Sequence, residues 1–431
     1  MKKYILLLLL IFCAGVLFGQ EFRLITFADY YGDIEPGTDY ETIRNRYFLQ
    51  PKIFAPLADG AVELNVSANL WYQPLPEEDE WQDTLIDPQN ILHEAYIAIP
   101  LEQFDIFLGQ KYVTFGFGDV FSPLNVVNGA DTTSLSLDDR YFGKRPDAVA
   151  QLLYYPNYND FFEVVYKPFT RPDYEPKGMV ALDNGLLDAK LDFDTQAYLT
   201  KDPHSVFLRY YHMSNSFDLQ LVYGWYTRQS PSFELDNLSA GATLTGSAET
   251  AYDRSQLFGA GISTIVGDVA LSQELGFDWT NDLEGDDIGV KNSSLTSNTQ
   301  LTGSAFSGAL WQLSIIYAHI LNFDAGTTFS SAIDEDLRTE INDYYNQPVQ
   351  NIAFAIGHIE KSFLRNKLLL AANGGFFFST RFYIAPRVAY ALSDRLRLEL
   401  GADIWTAEPK DNDLMRQSDA DNLFLRIKYE Y

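Results

Sequence analysis

Cysteine is almost missing from this chain: the only one, Cys13, lies in the opening stretch MKKYILLLLLIFCAGVLFGQ. Once that stretch is removed, no disulfide can brace the remaining domain. Basic residues are scarce too, 31 Lys and Arg against 59 Asp and Glu, and the formal charge of -28 becomes -30 without Lys2 and Lys3. So acidic a chain is not a nucleic-acid binder, nor does it seek anionic lipid. Long apolar runs are lacking after residue 20. A spanning helix needs about 18 to 20 such residues, and the nearest run, Leu368 to Phe378, is shorter and broken by Asn373, Gly374 and Gly375. If the chain crosses a membrane, it does so as a closed barrel, the other architecture that satisfies every backbone group in hydrocarbon. Histidine is sparse, and His93, His204, His212, His319 and His358 show no spacing tied to a nucleophile or a metal. His93 and Glu94 are adjacent, so on a strand they point to opposite faces and cannot act together. No enzyme centre is expected. Neither the EF-hand spacing nor the glycine-rich nonapeptide spacing occurs, so no dedicated metal site and no cofactor is expected either.

What is present begins with the leader. Lys2 and Lys3, an apolar run from Tyr4 to about Phe18, and Gly19 with Gln20 read as a secretory signal peptide over residues 1–20, leaving 21–431 as one domain. A lipid anchor at Cys13 is disfavoured, because bulky Phe12 precedes it and the residue lies inside the apolar run. Aromatics reach 15%, with 27 Tyr and 31 Phe, an excess that the interfacial girdles of a membrane barrel would absorb. Period-two alternation recurs along the chain. In 59–72 the apolar face is Val62, Leu64, Val66, Ala68, Leu70 and Tyr72, opposite Glu63, Asn65, Ser67, Asn69 and Trp71. The segments 217–228 and 394–406 alternate in the same way, each near the roughly 9 to 11 residues of a tilted membrane strand.

Residues 421–431, DNLFLRIKYEY, carry Leu423, Leu425, Ile427, Tyr429 and Tyr431 on one face and Phe424, Arg426, Lys428 and Glu430 on the other. With its export leader and this aromatic-ended strand, the chain resembles the bacterial outer-membrane β-barrel proteins. The resemblance implies that the barrel-insertion machinery reads the final strand, and that outer-membrane lipid surrounds the domain. The expected fold is all-β: a transmembrane antiparallel up-and-down barrel of eighteen strands, with sixteen as the alternative. Strands are predicted at 21–32, 42–56, 90–99, 103–113, 147–155, 158–168, 204–213, 255–266, 268–280, 299–307, 310–321, 349–361, 366–378 and 382–392, besides the four above. Short turns then fall on the periplasmic side and long loops outside. The split at Gly308 decides the parity, and Leu187 to Leu199 could hide a further strand.

Function is expected in the lumen. The third external loop, 114–146, occupies the place where porins fold a loop inward, which would make Asp131, Asp138 and Asp139 constriction carboxylates, with Asp119 nearby and Arg140, Lys144 and Arg145 beside them. Where the barrel closes, the face away from lipid carries Arg44, Arg46, Arg387, Arg397 and Arg426, a net basic wall. A basic wall facing an acidic loop would orient dipolar solutes and favour anions unless the loop carboxylates dominate. The expected function is passive diffusion of small hydrophilic solutes through a hydrated lumen, with a homotrimer as one assembly open to it. A surface adhesin or receptor with a plugged lumen is the alternative.

Overall fold

The computed structural model describes residues 21–33, 42–72, 91–119, 121–130, 144–173, 204–230, 232–240, 244–287, 289–305, 308–323, 342, 347, 349–377, 381–406 and 421–431. The first strand, β1 (Glu21–Asp33), pairs on one side with β2 (Thr42–Leu57) and on the other with the last, β21 (Asn422–Glu430). That second pairing closes the sheet into a barrel and removes both edges. Every pairing is antiparallel, and apart from the closure each joins strands that succeed one another along the wall. Eighteen strands span the wall. The third comprises two runs, β3 (Val62–Ala68) and β4 (Leu70–Tyr72), interrupted at Asn69 and both lying on β2. The rest are β5 (Leu92–Pro100), β6 (Phe104–Lys111), β7 (Asp147–Tyr154), β8 (Asp160–Lys167), β9 (Ser205–Met213), β10 (Phe217–Thr227), β13 (Arg254–Val266), β14 (Val269–Thr280), β15 (Ser294–Ala305), β16 (Ala309–Ile320), β17 (Asn351–Phe363), β18 (Leu368–Phe377), β19 (Arg381–Ala391) and β20 (Leu396–Thr406).

Alternation decides which side chain meets which solvent. On β21, Leu423, Leu425 and Ile427 stand exposed on the outer surface, whereas Asn422, Phe424 and Arg426 are buried on the inner one. The same division runs round the wall: Leu208, Leu221, Phe258, Leu275, Ile315, Val388 and Leu400 point outward. So much exposed hydrocarbon would drive a soluble protein to aggregate, and in a bilayer it is the solvated state. Gly308 adopts φ +96 between β15 and β16, and Gly267 φ +63 between β13 and β14, so both hairpins turn at residues free of a Cβ. The hairpin at Gly308 is the one on which the even strand count depended.

Three expectations change. The strand predicted at 299–307 begins earlier, at Ser294, because Ser294, Thr296, Ser297 and Asn298 are polar on both faces and carry no hydrophobic period; pairing with β14 and β16 extends the strand regardless. Within the span read as loop 229–254, β11 (Ser232–Ala240) and β12 (Leu244–Ala251) form a hairpin that pairs only with itself. The third concerns His93. Ser67 faces Glu94 while Ala68 faces Leu92, so His93 is the extra residue of a β-bulge and strict alternation fails there. His93 meets Asn69 at 3.0 Å and the Tyr112 ring at 5.1 Å, and Glu94 Oε1 accepts the Tyr112 N–H at 3.3 Å, so the two residues converge on one neighbour. The Leu187–Leu199 stretch lies outside the described residues.

Candidate functional site

Four inward side chains on three strands capture the backbone of the loop that follows β6. Gln220 on β10 accepts the Gly116 N–H at 3.2 Å. Glu274 on β14 accepts the N–H groups of Phe117 and, at 3.2 Å, Gly118. On β15, Gln300 accepts the Asp119 N–H at 3.1 Å and donates back to Asp119 Oδ2 at 3.1 Å, while Asn298 donates to the Phe121 carbonyl at 2.6 Å. An irregular loop inside a barrel needs such partners, because its backbone groups have no ladder of their own. The third loop therefore runs inward across the lumen face of β10, β14 and β15, and Phe121 reaches Phe354 on β17, ring centroids 6.0 Å apart.

Apolar packing backs this ladder. Val113, Phe115, Leu124 and Val127 of the loop form one buried cluster with Val149, Val165, Phe207, Val222, Tyr226 and Leu257 of the wall. The wall makes room with inward glycines: a Cβ at Gly259 would run into Leu124, and one at Gly276 would stand 3.0 Å from Pro123. Gly259→Val should consequently lift the loop off the wall, seen as a noisier open-channel current than wild type with an unchanged barrel midpoint of thermal unfolding. At the outer end the loop is anchored by charge. Lys167 donates to the Val127 carbonyl at 2.6 Å and pairs with Asp147 at 3.0 Å, both essentially buried, and Gln229 reaches the same carboxylate at 3.0 Å.

A cavity of 1220 Å³ lies between the loop and the opposite stretch of wall, where it meets Gln312 of β16, Ile356 and His358 of β17 and Asn373 of β18. Cations gather at its outer side. Arg228 pairs with Asp278 at 2.6 Å, Lys144 donates to the Asn125 carbonyl at 2.8 Å, and Lys291 has no hydrogen bond or ion pair among the described residues. Burial pushes both lysines down to about 8, with Arg228 adding repulsion at Lys291.

The sequence-predicted residues divide unevenly. Arg426 points inward but is only 5% exposed: it binds Asp29 at 3.1 Å and Glu399 at 3.8 Å, and lies 4.7 Å from the Phe27 ring centroid. Arg387 lies on the same inner surface over Phe424, 4.9 Å from its centroid. Arg397 is inward and exposed, with no ion pair among the described residues. Lys428 pairs with Glu430. Arg44 and Arg46 stand opposite Tyr31 and Asp29 in the β1–β2 register, while their side chains are outside the described set. Asp131, Asp138, Asp139 and Arg140 also lie outside the described residues. Sequence reasoning overlooked Gln220, Glu274, Asn298 and Gln300, whose signal was amide and carboxylate side chains on the inward face of adjacent strands. It overlooked Lys291 as well, which sits in an acidic loop where one cation attracts no notice.

A closed, lipid-faced barrel of eighteen strands with its third loop folded into the lumen is the architecture of outer-membrane porins. No family model matches the sequence, and no curated protein does. Solved structures do match in fold. A BenF-like porin from Pseudomonas fluorescens Pf-5 superposes with TM-score 0.54 at 11% identity, over 96% of this chain and 98% of that one. OccK3 (OpdO) of Pseudomonas aeruginosa matches with TM-score 0.53 at 10% identity, over 97% and 98%. OccK11 (OpdR) of the same organism matches with TM-score 0.52 at 9% identity, over 96% of each.

Proposed function

We propose that this chain is a passive diffusion channel through which small hydrophilic solutes cross a bacterial outer membrane. The observation that carries the reading is the inward loop held along one side of the lumen with a 1220 Å³ cavity beside it. Size selection then belongs to the gap between that loop and the β16–β18 wall. Charge selection is shared. The wall at the seam supplies Arg387 and Arg397, and Arg44 and Arg46 by their inward register, although Arg426 and Lys428 are largely neutralised by their own carboxylates. On the loop, Asp119 and the carboxylates of Asp131, Asp138 and Asp139 oppose them. Lys144 and Lys291 add positive charge where a solute enters from outside. A net preference for anions at neutral pH follows.

Planar-bilayer recording in a salt gradient tests this. Discrete open levels are expected, grouped in threes for a homotrimer, with a reversal potential favouring anions. As pH rises through about 8, Lys144 and Lys291 lose their protons and the reversal potential should move toward cations. The sign for stability is the same: both groups bind protons more weakly folded than unfolded, so stability rises as pH climbs from about 8 toward the ordinary lysine range. A silent bilayer would instead favour the adhesin or receptor with a plugged lumen. A reversal potential indifferent to pH would remove the two lysines from the path.

A further inference from the structure

Glu274 and Asn298 face each other across β14 and β15, both inward and both 1% exposed. The Asn298 amide is pinned by its donation to the Phe121 carbonyl, so the orientation of its oxygen is settled. Among the described residues neither that oxygen, Oδ1, nor Glu274 Oε2 has a hydrogen-bond partner. Glu274 has no ion-pair partner there either, and the lumen cations Arg209, Lys167 and Arg228 are each engaged with a carboxylate of their own. Two buried acceptor oxygens on directly paired residues, one carrying charge, are costly unless something positive satisfies them. The loop brings further oxygens to the same stretch of wall. Ser122 hydrogen-bonds Glu274, the Phe121 carbonyl turns toward Gly118, and Asp119 brings a second carboxylate that Gln300 holds in place.

We propose that Glu274, Asn298 and the loop residues Asp119, Phe121 and Ser122 bind a hard, oxygen-preferring cation, of which Ca²⁺ is the type, and that this ion clamps the third loop to the barrel wall. Carboxylate, amide carbonyl, hydroxyl and backbone carbonyl are the donor set such an ion takes in irregular geometry; Mg²⁺ demands a stricter octahedron. With so few charged ligands the affinity belongs to the weak class of extracellular sites, on the order of 10⁻⁴ to 10⁻³ M. The ligands come from three separate stretches of chain, which is why no sequence spacing announced them. The inference needs only the inward position of the loop and is independent of what the channel carries.

The test is calorimetric titration of Ca²⁺ into the full-length folded barrel in detergent after chelation, with Glu274→Gln and Asn298→Asp beside the wild type. One saturable site is expected, lost in Glu274→Gln and about tenfold tighter in Asn298→Asp, where the added carboxylate raises the ligand charge. Should Glu274→Gln fail to fold, Asn298→Asp still decides: unchanged affinity there overturns the proposal. So does equal binding by wild type and Glu274→Gln, which would place the ion on the external loops. So would an infrared carboxylic-acid band at neutral pH that disappears in Glu274→Gln, because a proton would then stand where the metal is proposed. A barrel silent in bilayers that still binds Ca²⁺ at this site would sink the channel reading and leave this one standing.

Discussion

Replacing residues 115–125 with a short Gly-Ser joint is expected to raise single-channel conductance several-fold while the barrel stays folded. The inward loop occupies lumen cross-section, and its hold on the wall is made by side chains of β10, β14 and β15 rather than by the strand ladders themselves. Removing it exposes Val149, Val165, Phe207 and Leu257 to lumen water, a loss of apolar burial that softens the wall without opening the closed ladder of backbone hydrogen bonds. Single-channel recording checks the first part, and migration of unheated protein in a detergent gel the second. A conductance equal to wild type would mean that the loop does not narrow the path.

Arg426→Ala should cause the largest loss of stability of any single change on the inner surface, roughly 3 to 5 kcal/mol. The guanidinium binds Asp29, itself 5% exposed, and approaches Glu399, so truncation takes one buried cation away from two carboxylates. It also removes the guanidinium from over Phe27. The position matters as much as the pair, since β1 and β21 meet there to close the barrel. A lowered thermal midpoint and partial rescue by Arg426→Met with Asp29→Asn are expected. Arg397→Ala, at an exposed position without an ion pair among the described residues, should leave the midpoint within experimental scatter. Equal midpoints for Arg426→Ala and wild type would show that the seam does not depend on this cluster.

The barrel was legible because a strand with lipid on one side and water on the other must alternate, and Leu423 to Tyr431 and Val62 to Tyr72 alternate openly. Where polar residues reach both faces around a single Leu295, as at Ser294 to Asn298, the alternation is too weak to read, and neighbouring strands set the limit instead. The bulge at His93 escaped for a related reason: inserting one residue leaves the composition of the strand untouched while reversing its faces. Arg426 lies on the inner face, buried against Asp29. Whether an inward arginine lines water or is buried in an ion pair depends on Asp29, almost the whole chain away in sequence and adjacent only once the ends meet.

By itself, then, the order of residues determined the all-β class and, wherever the alternation is unbroken, which face a strand turns to hydrocarbon, since both are local consequences of a period of two; the choice of eighteen strands over sixteen and the faces around His93 waited on the pairings. Only the closed tertiary structure decided where the third loop lies, because its anchors Gln220, Glu274 and Gln300 come from strands over a hundred residues downstream, and nothing short of barrel closure brings them to Gly116, Phe117 and Asp119.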